Sequence, residues 1–81
     1  MSVLRVLSRS GDDRYTWTRS SATVDTVEAD AAVREAERIF AEQRARGATA
    51  VRMAPGKPAA RIEKFDPEAE EIVMIPRVIG G

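Results

Sequence analysis

Glu71-Ile72-Val73-Met74-Ile75-Pro76 is the stretch on which the fold turns. Four successive apolar residues suit a strand covered on both faces, or one set in the middle of a sheet with a paired neighbour on each side. Pro76 ends it, because its nitrogen carries no hydrogen for the ladder. The remaining chain must therefore supply the neighbours and the cover. Val3-Leu4-Arg5-Val6-Leu7-Ser8-Arg9 is a second short run of branched apolar residues and reads as a strand. Ser10-Gly11-Asp12-Asp13 supplies turn residues, and Arg14-Tyr15-Thr16-Trp17-Thr18-Arg19 alternates with a period of two, so the opening predicts a β-hairpin. Tyr15 and Trp17 share one face of it and are expected to cover part of the core.

Residues 20–24 are polar and predict a loop. Asp25-Thr26-Val27-Glu28 then has the spacing of a capping box, with Asp25 in the place of the usual hydroxyl. The spacing of Ala29, Ala32, Val33, Ala36, Ile39 and Phe40 predicts a helix to about Arg46, with these six on its buried stripe. Gly47 is the expected residue just past its end. Residues 48–53 predict a third strand, residues 54–60 a turn or short excursion, and Arg61-Ile62-Glu63-Lys64-Phe65 an alternating, exposed strand. Gly56-Lys57 lacks the second glycine and the Ser/Thr of a phosphate loop, so no nucleotide site is expected there.

Eighty-one residues fold as one domain with one small core, since a chain of this size removes only about 60–65% of its unfolded surface from water. The chain has no cysteine and no histidine. Disulfides, thiolate nucleophiles, His-based catalytic arrangements and the usual zinc sites are thereby excluded, and no catalytic or metal-ligating residue is assigned. Thirteen basic and thirteen acidic residues balance to zero, with no long block of one sign. That disfavours nucleic acid and membrane surfaces as partners. No stretch is apolar and long enough for a signal peptide or membrane span, and the expected location is the cytoplasm.

Beyond Pro76 the chain reads Arg77-Val78-Ile79-Gly80-Gly81. A glycine pair without Cβ atoms makes a slim backbone that cannot contribute to packing. A carboxylate on such a tail can be threaded into a narrow active site, adenylated, and passed on as a thioester, a thiocarboxylate or an amide. Gly80 and Gly81 are the expected activation and conjugation site, with Arg77, Val78 and Ile79 gripped by a partner as an extended segment. The plain alternative is a frayed chain end.

Hairpin, long helix and further strands ending in a central one is the element order of the β-grasp fold, and at this point the chain resembles the ubiquitin-like proteins. Arg77-Val78-Ile79-Gly80-Gly81 looks like their diglycine tail. Glu70-Glu71-Ile72-Val73-Met74-Ile75-Pro76 with the terminal glycines also looks like the ending of the sulfur-carrier subunit of molybdopterin synthase. The likeness is specific over the last dozen residues and topological elsewhere. It implies an α+β, ubiquitin-like β-grasp domain over residues 1–76, with a hairpin, one helix and then two to three strands in a mixed sheet, the last strand parallel beside the first. Residues 77–81 would form a flexible tail.

The resemblance further implies a protein modifier, not an enzyme, of the kind seen in bacteria. An E1-like activating enzyme would consume ATP to adenylate Gly81, so that no cofactor is bound by the chain itself. An E2-like conjugating enzyme would carry the thioester, an isopeptide bond would form on target proteins, and a deconjugating peptidase would reverse it. Lys57 and Lys64 are the side-chain amines that could accept a second copy. A sulfur carrier forming a thiocarboxylate is the first alternative, and a β-grasp binding or scaffold module is the second. In the first strand of such a fold Val3, Arg5, Leu7 and Arg9 share one face and Leu4 and Val6 the other. Should the first set point away from the helix, it forms a candidate partner patch.

Overall fold

The computed structural model describes residues 2–8, 11–17 and 27–77, the side chains of 27–30 excepted. Of the expected hairpin turn only Ser10 lies outside the described residues, together with the capping box at Asp25, the Ala29 side chain and the residues from Val78 to Gly81. Gly11, Asp12 and Asp13 are not turn but the opening of the second strand, paired with Ser8, Leu7 and Val6. What is described is an α+β arrangement of one helix and a mixed five-stranded sheet: β1 (Ser2–Ser8), β2 (Gly11–Trp17), α1 (Val27–Ala45), β3 (Thr49–Ala54), β4 (Lys57–Ile62) and β5 (Glu71–Ile75).

The strands lie in the order β2-β1-β5-β3-β4, so β5 is the middle strand, as its unbroken apolar run requires. It pairs parallel with β1, from Val3 opposite Glu71 to Val6 opposite Met74. It pairs antiparallel with β3 on its other side, from Thr49 opposite Ile75 to Met53 opposite Glu71. β1 and β2 form the hairpin without irregularity. Leu4, Ile72, Met74 and Ala50 are fully buried, in one cluster with Ala36 and Phe40 of α1. Ala32, Val33 and Ile39 pack against that cluster half-buried, which places five of the six expected stripe residues on the buried side of the helix.

Trp17 closes the end of the core. Its ring is 2% exposed and lies 5.2 Å from that of Phe65, which in turn meets Phe40 edge-on at 5.8 Å. The indole Nε1–H donates to the Pro67 carbonyl at 2.9 Å, so the buried polar end of the side chain is satisfied. Tyr15 packs half-buried on the same side, as period-two alternation demands.

The stretch between β3 and β5 departs from the sequence expectation. The excursion over 54–60 is a two-residue turn, Pro55-Gly56, joining Ala54 to its partner Lys57. Pro55 suits the first central position, and Gly56 at φ 72° takes the left-handed second position that favours glycine. β4 therefore starts at Lys57 and ends at Ile62, not 61–65. Pro58 is tolerated because β4 is an edge strand, where a missing N–H can face solvent. Phe65, expected on a strand, follows the end of β4 and turns into the aromatic cluster.

The helix ends as the sequence predicts. The Gly47 N–H donates to the Arg44 carbonyl at 3.0 Å and the Ala48 N–H to the Gln43 carbonyl at 3.0 Å, the two bonds of a Schellman termination with Gly47 at φ 91°. On the outer face Arg38 bridges Glu35, at 2.7 Å, and Glu42, exposed pairs that water screens.

One buried polar atom is unexplained. Ser2 is fully buried and its hydroxyl finds no hydrogen-bond partner among the described residues. An unsatisfied buried hydroxyl costs about 1–3 kcal/mol. Ser2→Ala is therefore expected to raise stability by about 1 kcal/mol in urea unfolding, the small void left behind offsetting part of the gain. A destabilised variant would mean that the hydroxyl is paired after all.

Candidate functional site

β5 ends at Ile75, and Pro76 and Arg77 continue the chain at the surface, both exposed. Among the sequence-predicted tail residues only Arg77 is described. Val78, Ile79, Gly80 and Gly81 lie outside the described residues. Arg77 is laid over the end of α1: a Cβ built on Gly47 would stand 3.0 Å from the Arg77 Cδ and 3.6 Å from its Cβ.

The register settles which face of β1 looks outward. Leu4 and Val6 belong to the core under the helix, so Val3, Arg5 and Leu7 face away from it. Neighbouring strands extend that face with Glu71, Val73 and Ile75 from β5 and with Thr49, Val51 and Met53 from β3, directly opposite one another across the ladder. Val3 and Leu7 are only half-buried, and the apolar side chains that stand out most here are Met53 at 41% exposed and Ile75 at 42%. The sequence did not single out these two, because Ile75 reads as part of a buried run and Met53 as the last residue of a strand. Their places at or next to the ends of β5 and β3 were the available signal.

Arg5 occupies the middle of the outer face. Its Nε donates to Asp12 Oδ2 at 3.0 Å and its Nη1 to Glu71 Oε2 at 3.2 Å, and Arg14 Nε reaches the same Asp12 oxygen at 3.1 Å. The four side chains join β2, β1 and β5 in one charged network between the apolar positions. The bond from Arg5, and secondly that from Arg14, hold the Asp12 carboxyl below its ordinary value. The bonds to Asp12 and then Glu71 raise the Arg5 guanidinium above its own.

The sign of the pH effect follows. A carboxyl with a depressed folded-state pKa contributes stability above its unfolded value, and the contribution is lost as pH falls through the folded value. Arg5→Gln is expected to return Asp12 toward the ordinary carboxylate range and to shift the acid limb of the unfolding curve to higher pH. Carboxyl titration by NMR checks this, and an unchanged Asp12 midpoint in the variant would refute the network.

Both candidate acceptor amines are accessible. Lys57 is exposed at the start of β4, where with Arg52, Asp66 and Glu70 it lines an open concavity of about 670 Å³. Lys64 is exposed beside Phe65, across from Arg44 of α1, in another of about 720 Å³. Lys57 thus stands on the strand and not within the turn, and Lys64 lies past the strand on which it was expected. The Arg52–Asp66 pair at 3.1 Å ties β3 to the bend before β5. Among the described residues no group of acidic, His or Cys side chains is placed to hold a metal ion, and no helix is long and apolar enough to cross a membrane.

No protein-family model, curated protein or solved structure matches the chain.

Proposed function

We propose that the chain is a ubiquitin-like protein modifier of the β-grasp type whose reacting group is the Gly81 carboxylate. The observation that carries this reading is the central, parallel β1–β5 pair, because it makes the last strand the most deeply held element and sends its continuation straight to the surface at Arg77. A modifier needs that combination: a rigid body for recognition and an extended segment that can enter another protein's active site.

The chemistry requires no catalytic group on this chain. The Gly81 carboxylate, whether at the genetic terminus or exposed by a processing peptidase, attacks the α-phosphorus of ATP and releases pyrophosphate. The thiolate of a partner cysteine then displaces AMP to form a thioester. A target lysine amine displaces that thiol, losing a proton, and leaves an isopeptide bond. The leaving groups are pyrophosphate, AMP and the partner's thiol in turn, and the partners supply the activating bases.

The outer sheet face supports a role in recognition. Met53 and Ile75 at its ends, half-buried Val3 and Leu7, and the Arg5 network between them give apolar contact with fixed charges for orientation. The same face would serve a binding module without conjugation.

Immunoblotting of source-cell extracts under denaturing and reducing conditions tests the reading. A ladder of higher-mass species that survives thiol reagents is expected. Free protein carrying sulfur in place of a carboxylate oxygen, with no such ladder, would replace the modifier reading with that of a sulfur carrier, and neither product would leave the binding module.

A further inference from the structure

We infer that Gly47 is a positioning residue for the C-terminal segment: the absence of a side chain there makes a seat at the end of α1 on which the stem of Arg77 rests, fixing the direction in which the chain leaves the sheet. Two independent features of the structure support the seat. The first is steric. A Cβ on Gly47 would stand 3.0 Å from Arg77 Cδ, tighter than nearly all such contacts, and 3.6 and 3.9 Å from its Cβ and Cγ, so with any other residue here the arginine stem must give way. The obstructed atom belongs to a long side chain that can swing away, and the body of the protein need not move.

The second is electrostatic. Gly47 closes α1, and the end of a helix carries partial negative charge from its outward carbonyls, which favours a cation above it. Arg44 already donates to the Ala48 carbonyl at 2.8 Å beside the same spot. Arg77 lays its stem against the same cap and stays exposed. Gly47 thus has two duties that ask for the same residue: its φ of 91° terminates the helix, and its bare α-carbon admits Arg77. The two can be separated, because asparagine accepts left-handed backbone but brings a Cβ.

The consequence for activity rests on the modifier reading. On that reading a seated Arg77 is recognised together with the body, so unseating it should raise KM for the modifier and leave kcat unchanged. The seat itself does not rest on that reading.

Gly47→Asn is compared with Gly56→Asn, a matched change at a left-handed turn glycine whose added Cβ would meet nothing within 4 Å. Brief trypsin treatment of the folded proteins, read by intact mass, measures release of the four residues after Arg77. Arg77 must leave its seat to enter the protease, so Gly47→Asn is expected to release them about two- to fivefold faster than the parent, equivalent to roughly 0.4–1 kcal/mol at tenfold per 1.4 kcal/mol. Gly56→Asn should match the parent. Equal rates for all three proteins, or equal acceleration in both variants, would overturn the seat. Should Gly47→Asn fold poorly, NMR of the unmodified protein decides: cross-relaxation between Arg77 side-chain protons and the Gly47 α-protons is expected, and its absence refutes the contact. In source cells, fewer conjugates for Gly47→Asn than for Gly56→Asn is the predicted consequence. No conjugates from the parent would reject the modifier reading while leaving the protease and NMR results to judge the seat.

Discussion

Trp17→Ala is expected to cost about 3–5 kcal/mol, the largest stability loss of any single truncation in this domain. The indole is 2% exposed, its ring meets Phe65, and Phe65 meets Phe40, so the side chain connects β2 to the segment before β5 and, through Phe65, to α1. Removal empties that corner and also strands the Pro67 carbonyl, which loses the indole N–H at 2.9 Å. Against a total of about 5–10 kcal/mol for a domain of this size, that removes roughly half of the stability. Urea titration followed by circular dichroism measures the loss. Trp17→Phe keeps most of the ring burial and should cost about 1–3 kcal/mol, for the smaller ring and the lost hydrogen bond together. A Trp17→Ala midpoint near that of the parent would contradict the central place given to this residue. Phe40→Ala, at 4% exposed on the same cluster, falls in the same range.

Deleting Gly81 is expected to abolish conjugation altogether while leaving the unfolding midpoint unchanged. The reacting carboxylate would then sit on Gly80, one residue short of the catalytic centre in the activating partner, and misplacement of a reacting group by that much removes the advantage of bound orientation. No core side chain is touched. Conjugates are counted by immunoblot and stability by urea titration. Undiminished conjugate formation by the shortened chain would contradict the assignment of Gly81, and a large drop in stability would show that the end of the chain helps to hold the fold.

The central strand was readable because Ile72-Val73-Met74-Ile75 has no polar side chain to turn toward water, and the helix because its apolar residues keep helical spacing to Phe40. Those two features, with Pro76 and Gly47 as stops, anticipated most of the architecture. The β3–β4 turn was misread for a physical reason: Pro58 argues against a central strand, but the pattern cannot tell a central strand from an edge that tolerates proline. Phe65 was misread because an alternating run continues past the point where the chain leaves the sheet. The outward face of β1 was undecidable, since both Val3/Leu7 and Leu4/Val6 are apolar and only the register with β5 tells them apart. The approach of Arg77 to Gly47 left no trace in the sequence, for it joins two chain segments far apart through the close of the helix.

The decisive observation is whether Gly81 is joined to amines of other proteins. Conjugates purified under denaturing conditions and digested with trypsin should carry Val78-Ile79-Gly80-Gly81, freed by cleavage after Arg77, on lysine side chains of target proteins, mostly as single additions, with any polymer linked through Lys57 or Lys64 of this chain. A digest in which that remnant appears on no lysine, while the unmodified protein is abundant in the same cells, would contradict it.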